Sequence, residues 1–298
     1  MSDSYYGKPI VRPHIWGWYI DVYFWLGGLA GAGAVAMVCA RMRGQHTLAN
    51  AEKRASMIAI TLAAPLLIVD LGRPMRFYNM LRVFKPTSPM SVGTWLFSAY
   101  SAALGASTFA EYLGWRRAQY AGEAVAGLLG PAVATYTAAL LADTATPAWH
   151  EAHDTLPFLF ASSAVAAAGS AGVAFAPPSE SASARRLMIV GALAMVGVGA
   201  VMENRLGPLL AEPYHLGRAG KFQRATNRLA LAGAALGFLG RRSRAVSILA
   251  AACVAAAGVC ERFTVLAAGK QSAIDPKYTV EPQRARLAAR EGTQPPAA

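Results

Sequence analysis

Five acidic residues stand at the ends of long apolar runs or inside them, where a charge is unusual. Asp21 and Glu261 lie within the first and last runs, and Asp70, Asp143 and Glu203 each close another run. An ionisable side chain inside a membrane is energetically costly and therefore suggests a function. Carboxylates near one membrane face can exchange protons with a quinone, which takes up protons on reduction and releases them on oxidation.

Asp21 and Asp70 have different neighbours in the sequence. Arg73 and Arg76 follow Asp70 within two helical turns, so an ion pair at the helix end is the simpler interpretation of Asp70. Asp21 has no basic residue within one turn, and its own run is otherwise apolar. We therefore expect a functional role for Asp21.

Two further acids lie at the opposite ends of the runs. Glu111 and Glu123 stand close in the sequence to Arg116 and Arg117, and surface ion pairs explain both acids. These two acids alone do not establish a proton path to the second membrane face. The sequence therefore leaves proton pumping open.

No histidine falls in the middle of an apolar run, where the axial ligands of a membrane haem would have to lie. A haem is therefore not expected, and His14 merely flanks the first run. The loop PAWHEAHD places His150 and His153 beside Glu151 and Asp154. Their weak ligand spacing favours a solvated loop over a metal site, so no metal is expected.

Three cysteines, Cys39, Cys253 and Cys260, lie in apolar stretches and form no CxxC pair. Iron–sulfur clusters and structural zinc sites need about four ligands. We therefore expect the cysteines to be small buried apolar residues and expect no iron–sulfur cluster in this chain.

The composition indicates what kind of fold must position these residues. Of the 298 residues, 55% are hydrophobic and only 15% are charged, against about 25% charged in an average soluble protein. This composition excludes a disordered chain and argues against a soluble enzyme. The net charge of +12 comes from Lys and Arg between apolar runs, which favours a membrane protein over a nucleic-acid-binding protein.

The apolar runs predict an all-α integral membrane protein with eight transmembrane helices, since about 20 apolar residues span a bilayer. A segment 1–15 precedes this domain of residues 16–268, whose possible halves are 16–142 and 156–268. The proline-containing tail 269–298 is predicted to be polar and extended. The predicted helices cover 16–40, 55–71, 92–113, 121–142, 156–176, 187–202, 226–239 and 245–268.

An even number of helices puts both termini on one face, here called side A, and the short basic loops on side B. Positive charge in short loops marks the cytoplasmic face, so charge density places side B in the cytoplasm, although the total basic count does not. The longer side-A loops suggest a surface for a partner, with solvated loops as the alternative. The basic residues assigned to side B are Arg41, Arg43, Lys53, Arg54, Arg116, Arg117, Arg185, Arg186, Arg241, Arg242 and Arg244.

Three stretches resemble one known family. YYGKPIVRPHIWGWYIDVYFWLGGLAGAGA at 5–34 resembles the start of NrfD-like polysulfide reductase membrane subunits. DLGRPMRFYNMLRVFKPTSPMSVGTWLF at 70–97 resembles the most diagnostic segment of that family. ATYTAALLADTATPAWHEAH at 134–153 resembles its fourth helix and the loop that follows. The resemblance extends over the chain as eight helices and weakens after about residue 205.

The resemblance implies two four-helix bundles without haem. It implies a quinone-reactive subunit that does not carry the catalytic centre of its oxidoreductase complex. Such a subunit passes electrons between the menaquinone or ubiquinone pool and a ferredoxin-like iron–sulfur subunit, which connects to a molybdenum or tungsten catalytic subunit. It implies a multi-pass protein of the cell membrane, with its termini outside the cytoplasm, that serves anaerobic respiration.

The resemblance also suggests which residues meet the quinone. The matching positions lie around Asp21 or His14 in and before the first helix, with Tyr19 nearby, and at Tyr136 in the fourth. Tyr136 and His14 would bond the quinone, and Asp21 would carry protons. The proposed proton path continues at Asp70, Asp143, Glu203 and Glu261, and partner docking falls to Arg73, Arg76 and Arg82.

Two alternatives from other classes remain. An ion-coupled secondary transporter would use the same intramembrane acids, most often near the midplane. A purely structural anchor would hold its partner without a quinone pocket. The concentration of acids on side A favours the quinone-reactive subunit.

Overall fold

The computed structural model describes residues 9–14, 16–240 and 243–291, and these ranges contain helices and no strand. Arg241 and Arg242, assigned above to side B, lie outside the described residues. So do 1–8 and 15 of the N-terminal segment and the end of the tail, 292–298.

Eight of the helices have at least 20 residues, and each overlaps one predicted segment. Short helical pieces connect some of them at Pro74–Arg76, Phe77–Met80 and Pro147–His150. A further helix, α9, covers Lys277–Glu291. The long helices are α1 Trp18–Met42, α2 His46–Asp70, α3 Pro89–Tyr112, α4 Arg116–Ala142, α5 Leu156–Phe175, α6 Ala182–His215, α7 Gly217–Leu239 and α8 Arg244–Ile274.

Five of the long helices, α1, α4, α5, α6 and α8, are long and apolar enough to cross a membrane. The chain is therefore a helical protein of the multi-pass membrane class. Helices α2, α3 and α7 match predicted segments and are long enough to span a membrane, but they are less apolar than those five. Polar residues at the start of α2 and α7 lower the hydropathy of those helices.

Helix α2 begins at His46, well before the predicted start at residue 55. The prediction was wrong there because Glu52, Lys53 and Arg54 interrupt the hydropathy. In the structure Glu52 and Lys53 are only 1% and 3% exposed, so the bundle buries charges that the sequence assigned to a loop.

The C-terminal tail is helical over Lys277–Glu291, in contrast to the predicted extended conformation. The Asp275 carboxylate accepts a hydrogen bond from the Lys277 backbone N–H at 3.0 Å, which supports the first turn. Glu212 of α6 accepts bonds from Lys277 at 2.7 Å and from the Tyr278 hydroxyl at 3.1 Å. These contacts hold α9 against the bundle.

Contacts between loops define two ends of the bundle, which match sides A and B. On side B, Thr47 at the start of α2 bonds Glu180, which precedes α6, at 2.8 Å. On side A, the indole of Trp149 donates to the Val265 carbonyl at 2.7 Å. The α1–α2 and α5–α6 connections therefore lie together on side B, and the α4–α5 connection packs against α8 on side A.

Helix α1 lies at the centre of the fold and packs against α2, α4, α5 and α8. Helix α3 packs on α4, α5 on α6, and α7 on both α6 and α8. A Cβ added at Gly31 of α1 would stand 2.4 Å from the Gly130 carbonyl oxygen of α4. This close approach explains why the sequence is dense in small residues.

Two side-A breaks share a backbone feature. Gly72 follows α2 with φ of 65°, and Gly207 interrupts α6 with φ of 70°. Both follow a leucine and precede a proline, directly at Pro208 and after one residue at Pro74. Only glycine adopts this region at little cost, so the short echo LGRP and LGP corresponds to a common local geometry.

Candidate functional site

A small pocket opens on side A between the first four long helices. Its volume is about 50 Å³, below the roughly 300–1,000 Å³ usual for a ligand site. One acid and two phenols are its main polar groups, and most of the other lining residues are apolar. The lining includes Ile20, Tyr23, Phe24, Leu67, Asp70 and Tyr136.

The hydroxyls of Tyr23 and Tyr136 are hydrogen-bonded to each other in this pocket. Tyr23 is 4% exposed, so the pair lies inside the bundle. The ring of Tyr136 lies on the backbone of Gly93 in α3, where an added Cβ would come within 2.5 Å of ring carbon Cε2. Gly93 therefore provides the space that Tyr136 occupies.

Asp70 ends α2 at the same pocket, and the Tyr19 phenol lies close to its carboxyl group. The predicted ion pairs with Arg73 and Arg76 are wrong, because within the described ranges no basic group lies within 4 Å of Asp70. The positive φ of Gly72 turns the chain after α2, and both arginines are exposed beyond that turn.

Asp21 does not line the tyrosine pocket. It is two residues from Tyr23, about 200° around the helix, and therefore projects from another face of α1. Asp21 is only 5% exposed and feels the charge of Lys270 in α8. The Lys270 ammonium also donates to the Trp16 carbonyl. The predicted association of Asp21 with Tyr136 is therefore not found.

His14 belongs to the Asp21 side of α1. Its ring lies 4.5 Å from that of Trp16 and 5.8 Å from that of Trp149, measured between centroids. Its Nδ1 is buried and has no hydrogen-bond partner among the described residues. Burial and the positive charge of Lys270 lower the pKa of His14. Both effects favour the neutral form of the imidazole.

Glu261 and Arg262 form a buried ion pair in α8, with exposures of 3% and 0%. The guanidinium of Arg262 also lies over the Phe160 ring, 3.6 Å from its centroid, and donates to the Phe160 carbonyl at 3.3 Å. One carboxylate oxygen of Glu261 has no partner in the described part. The residues predicted for the proton path include Glu261, but Arg262 was not predicted.

The remaining predicted acids are not in one group. Glu203 accepts hydrogen bonds from the Gln223 amide at 2.7 Å and pairs with His215 at 3.0 Å. Asp143 is exposed at the end of α4. All five acids therefore lie toward side A, but Asp70 is the only one of them that lines the tyrosine pocket.

Side B contains a cluster of charged residues whose contacts were not predicted from the sequence. Arg41 makes two 2.9 Å hydrogen bonds to the carboxylate of Glu123. Lys53 lies 2.6 Å from Glu111 and 3.1 Å from Glu123. Acids and bases from four helices are thereby paired, with Lys53 and Glu123 buried and Glu111 at the surface.

The predicted pairing of Glu111 and Glu123 with Arg116 and Arg117 is therefore wrong. The prediction paired the two acids with basic residues nearby in the sequence, but the packing of the helices brings Lys53 and Arg41 closer to them. Arg116 and Arg117 are exposed instead.

Glu52 is another buried residue that the sequence analysis did not identify. It is 1% exposed, and neither carboxylate oxygen has a hydrogen-bond partner among the described residues. It lies in α2 beside Gly33 of α1 and Gly172 of α5. A signal was present, because Leu48, Glu52 and Ser56 recur at helical spacing on one face.

The histidine loop and the cysteines provide no additional site. His153 pairs with the neighbouring Asp154 at 3.1 Å, and both side chains are more than half exposed. Glu151 pairs with Arg286 of α9 at 2.6 Å. The described residues contain no group of three or more possible metal ligands from His, Cys, Asp and Glu. Cys39 is exposed, contrary to prediction, whereas the other two cysteines are half-buried.

A surface loop, residues 71–88, connects α2 to α3 on side A. It combines exposed apolar side chains with exposed basic ones. Such a mixture is typical of a surface that contacts another protein. Its exposed members include Met75, Tyr78, Val83 and Phe84, with the predicted docking residues Arg73, Arg76 and Arg82.

A family model described as polysulfide reductase, NrfD_2, matches residues 2–276 of this sequence. The chain belongs to the NrfD-type polysulfide reductase family. The match confirms the resemblance inferred from the three sequence stretches. A search among curated proteins finds no match. Family membership indicates a membrane subunit of an oxidoreductase complex.

Proposed function

We propose that this NrfD-type chain is the quinone-reactive membrane anchor of a multi-subunit oxidoreductase. It would carry electrons between the quinone pool and an iron–sulfur subunit docked on side A. Eight spans in two four-helix bundles, α1–α4 and α5–α8, would hold it in the cell membrane with its termini outside the cytoplasm. The family match and the five apolar helices support the membrane subunit.

The single observation that supports a quinone site is the pocket of Tyr23, Tyr136 and Asp70. Phenol hydroxyls can donate to quinone carbonyls, and the apolar wall suits the ring. The pocket volume of about 50 Å³ is too small for a quinone ring. The quinone would therefore enter by separating the Tyr23 and Tyr136 hydroxyls and taking their hydrogen bonds.

Proton exchange in this proposal belongs to Asp70. Its carboxyl lines the pocket and is half-buried at the side-A end of α2, where water is close. A carboxylate in that position can pass protons between the quinone oxygens and the aqueous phase. Asp21 projects from another face of α1, and Lys270 of α8, whose charge acts on Asp21, His14 and Asp70, would connect that face to the pocket.

The loop 71–88 would receive the partner. It follows Asp70 directly, so a cluster docked there would lie close to the tyrosine pocket. Exposed Met75 and Phe84 supply apolar contact, and Arg73, Arg76 and Arg82 attract an acidic surface. A ferredoxin-like iron–sulfur subunit, itself joined to a molybdenum or tungsten catalytic subunit, is the proposed partner.

The test is quinol-dependent reduction of the partner's clusters by the purified complex. Tyr136→Phe and Tyr23→Phe remove one hydroxyl each and keep the ring. We expect each to slow the reaction about tenfold or more, which is about 1.4 kcal/mol in the transition state. Tyr112→Phe is the matched control, since Tyr112 is 87% exposed on side B.

Two further arms separate the possible outcomes. Asp70→Asn should slow quinol oxidation, whereas Asp21→Asn should have the smaller effect, because Asp21 lies outside the pocket. Wild-type rates in both tyrosine variants, with clusters still reduced by quinol, would place the site elsewhere. No quinol-linked signal in wild type would leave a structural anchor.

A transporter remains the second candidate because of Glu52. A buried carboxylate without a partner in the described region is a plausible ion ligand, and it lies toward side B, away from the tyrosine pocket. Substrate-dependent ion movement in liposomes that contain this chain alone, and its loss in Glu52→Gln, would favour transport over electron transfer.

A further inference from the structure

A long groove opens on the outer surface and runs from side B toward the middle of the protein, whereas the tyrosine pocket opens on side A. Its volume is about 460 Å³, within the usual range for a ligand site. It runs between α1 and α4 of the first half and α5 and α6 of the second. Small and aliphatic side chains form its walls, among them Ala32, Val35, Ala134, Val165, Leu187 and Val190.

The walls of the groove do not favour a polar ligand. Thr135, a polar residue of the lining, already donates its hydroxyl to the Pro131 carbonyl at 2.8 Å. A polar substrate would lose its hydration here without gaining hydrogen bonds. A hydrocarbon chain has no hydrogen bonds to lose and would make favourable contacts with the walls.

Two arginines close the side-B end of this groove. Arg43 follows α1 and Arg186 lies in the first turns of α6, and both are exposed and line the groove. Within the described part of the chain no carboxylate lies within 4 Å of either guanidinium. The Ser183 hydroxyl donates to the Gln45 side chain at 2.9 Å, which ties the start of α6 to the segment that follows α1.

The groove has the length of an acyl chain. Ala32 and Arg43 are both lining residues, and at about 1.5 Å per residue they are roughly 16 Å apart along α1. A phosphate held at Arg43 and Arg186 would therefore allow a fatty chain to lie along the groove toward the middle of the protein.

We propose that this groove is a binding site for one anionic phospholipid. Its phosphate would sit between Arg43 and Arg186, and one acyl chain would fill the apolar channel between the two halves. Basic residues at membrane interfaces attract anionic headgroups, and here the attraction is combined with a shaped apolar wall. The lipid would join the halves at an interface that the protein's own side chains leave open.

The test is native mass spectrometry of the complex, delipidated and titrated with phosphatidylglycerol or with zwitterionic phosphatidylcholine. We expect phosphatidylglycerol to bind at least tenfold more tightly, with that preference lost in the double variant Arg43→Gln, Arg186→Gln. The matched control is Arg116→Gln, Arg117→Gln, which removes two exposed side-B arginines outside the groove.

A second variant tests the chain rather than the headgroup. Ala161→Phe would fill the groove without changing its charge, and we expect it to weaken phosphatidylglycerol binding. The proposal is wrong if the arginine pair can be removed without effect, or if both lipids bind equally. It is also wrong if the bound mass is a quinone, whose tail would then occupy the groove.

Discussion

At the residue scale, the arrangement around α1 depends on two faces of one helix. Tyr23 faces the phenol of Tyr136, and Asp21 faces Lys270 and the second half. The sequence identified both Asp21 and Tyr136 but could not assign their partners. The direction of a helical side chain depends on its angle around the helix axis, so residues close in the sequence can face different neighbours. Tyr23 is not among the site residues that the sequence predicted.

Removing one partner of the buried pair Glu261–Arg262 should be strongly destabilising. Arg262→Ala would leave the Glu261 carboxylate buried without its cation, and it would also remove the packing on Phe160. We expect the unfolding free energy to fall by about 3–5 kcal/mol. Chemical denaturation in detergent measures this, with exposed Arg228→Ala as the control expected to change stability by less than about 0.5 kcal/mol. Equal effects of the two changes would contradict the prediction.

Glu52 should lower the stability of the protein, because nothing in the described region stabilises its charge. Glu52→Gln keeps the shape and removes the cost of a buried carboxylate, so we expect a higher midpoint of thermal unfolding. Exposed Glu281→Gln, in α9, is the control and should leave the midpoint unchanged. A lower midpoint in Glu52→Gln would indicate that the carboxylate has a partner, such as a bound water or ion.

At the element scale, α2 is held by a carboxylate from another part of the chain. Glu180, in the connection before α6, accepts hydrogen bonds from the Thr47 hydroxyl at 2.8 Å and the Leu48 backbone N–H at 3.1 Å. These bonds satisfy a free N–H group in the first turn of α2. They also tie the first half of the protein to the second.

This contact predicts a pH dependence of stability. The bond from Thr47, then that from Leu48, lowers the pKa of Glu180 from its ordinary value of 4.5. A lowered folded-state pKa means that the stabilisation is full above the unfolded-state pKa and is lost as pH falls through the folded-state value. Thermal unfolding at pH 6 and pH 3 should therefore show a smaller pH difference in Glu180→Gln than in wild type. An unchanged difference would exclude this contact as a source.

Most helices could be predicted from the sequence because apolar runs of membrane length give a strong signal. The start of α2 could not, because Glu52 and Lys53 are buried through contacts with distant helices or none at all. The helix Lys277–Glu291 was missed because its stability depends on Glu212, which lies far away in the sequence. Local composition contains no trace of such partners.

At the scale of the whole molecule, the two ends differ in character. Side A carries the tyrosine pocket, the loop 71–88 and α9, and side B carries the buried charge cluster and the mouth of the lipid groove. This polarity agrees with electron exchange on one face and membrane anchoring on the other. The family match covers residues 2–276, which include the residues of both ends.

The orientation of this polarity in the membrane is a prediction from charge. Dense basic residues in short side-B loops should be retained in the cytoplasm. The three native cysteines are first replaced by alanine, and His153→Cys on side A or Arg117→Cys on side B is then introduced. Both positions are exposed, so a membrane-impermeant maleimide should label intact cells at residue 153 and label residue 117 only after permeabilisation. The reverse pattern would place side A, the tyrosine pocket and the docking loop in the cytoplasm, and the iron–sulfur partner would then have to be a cytoplasmic protein.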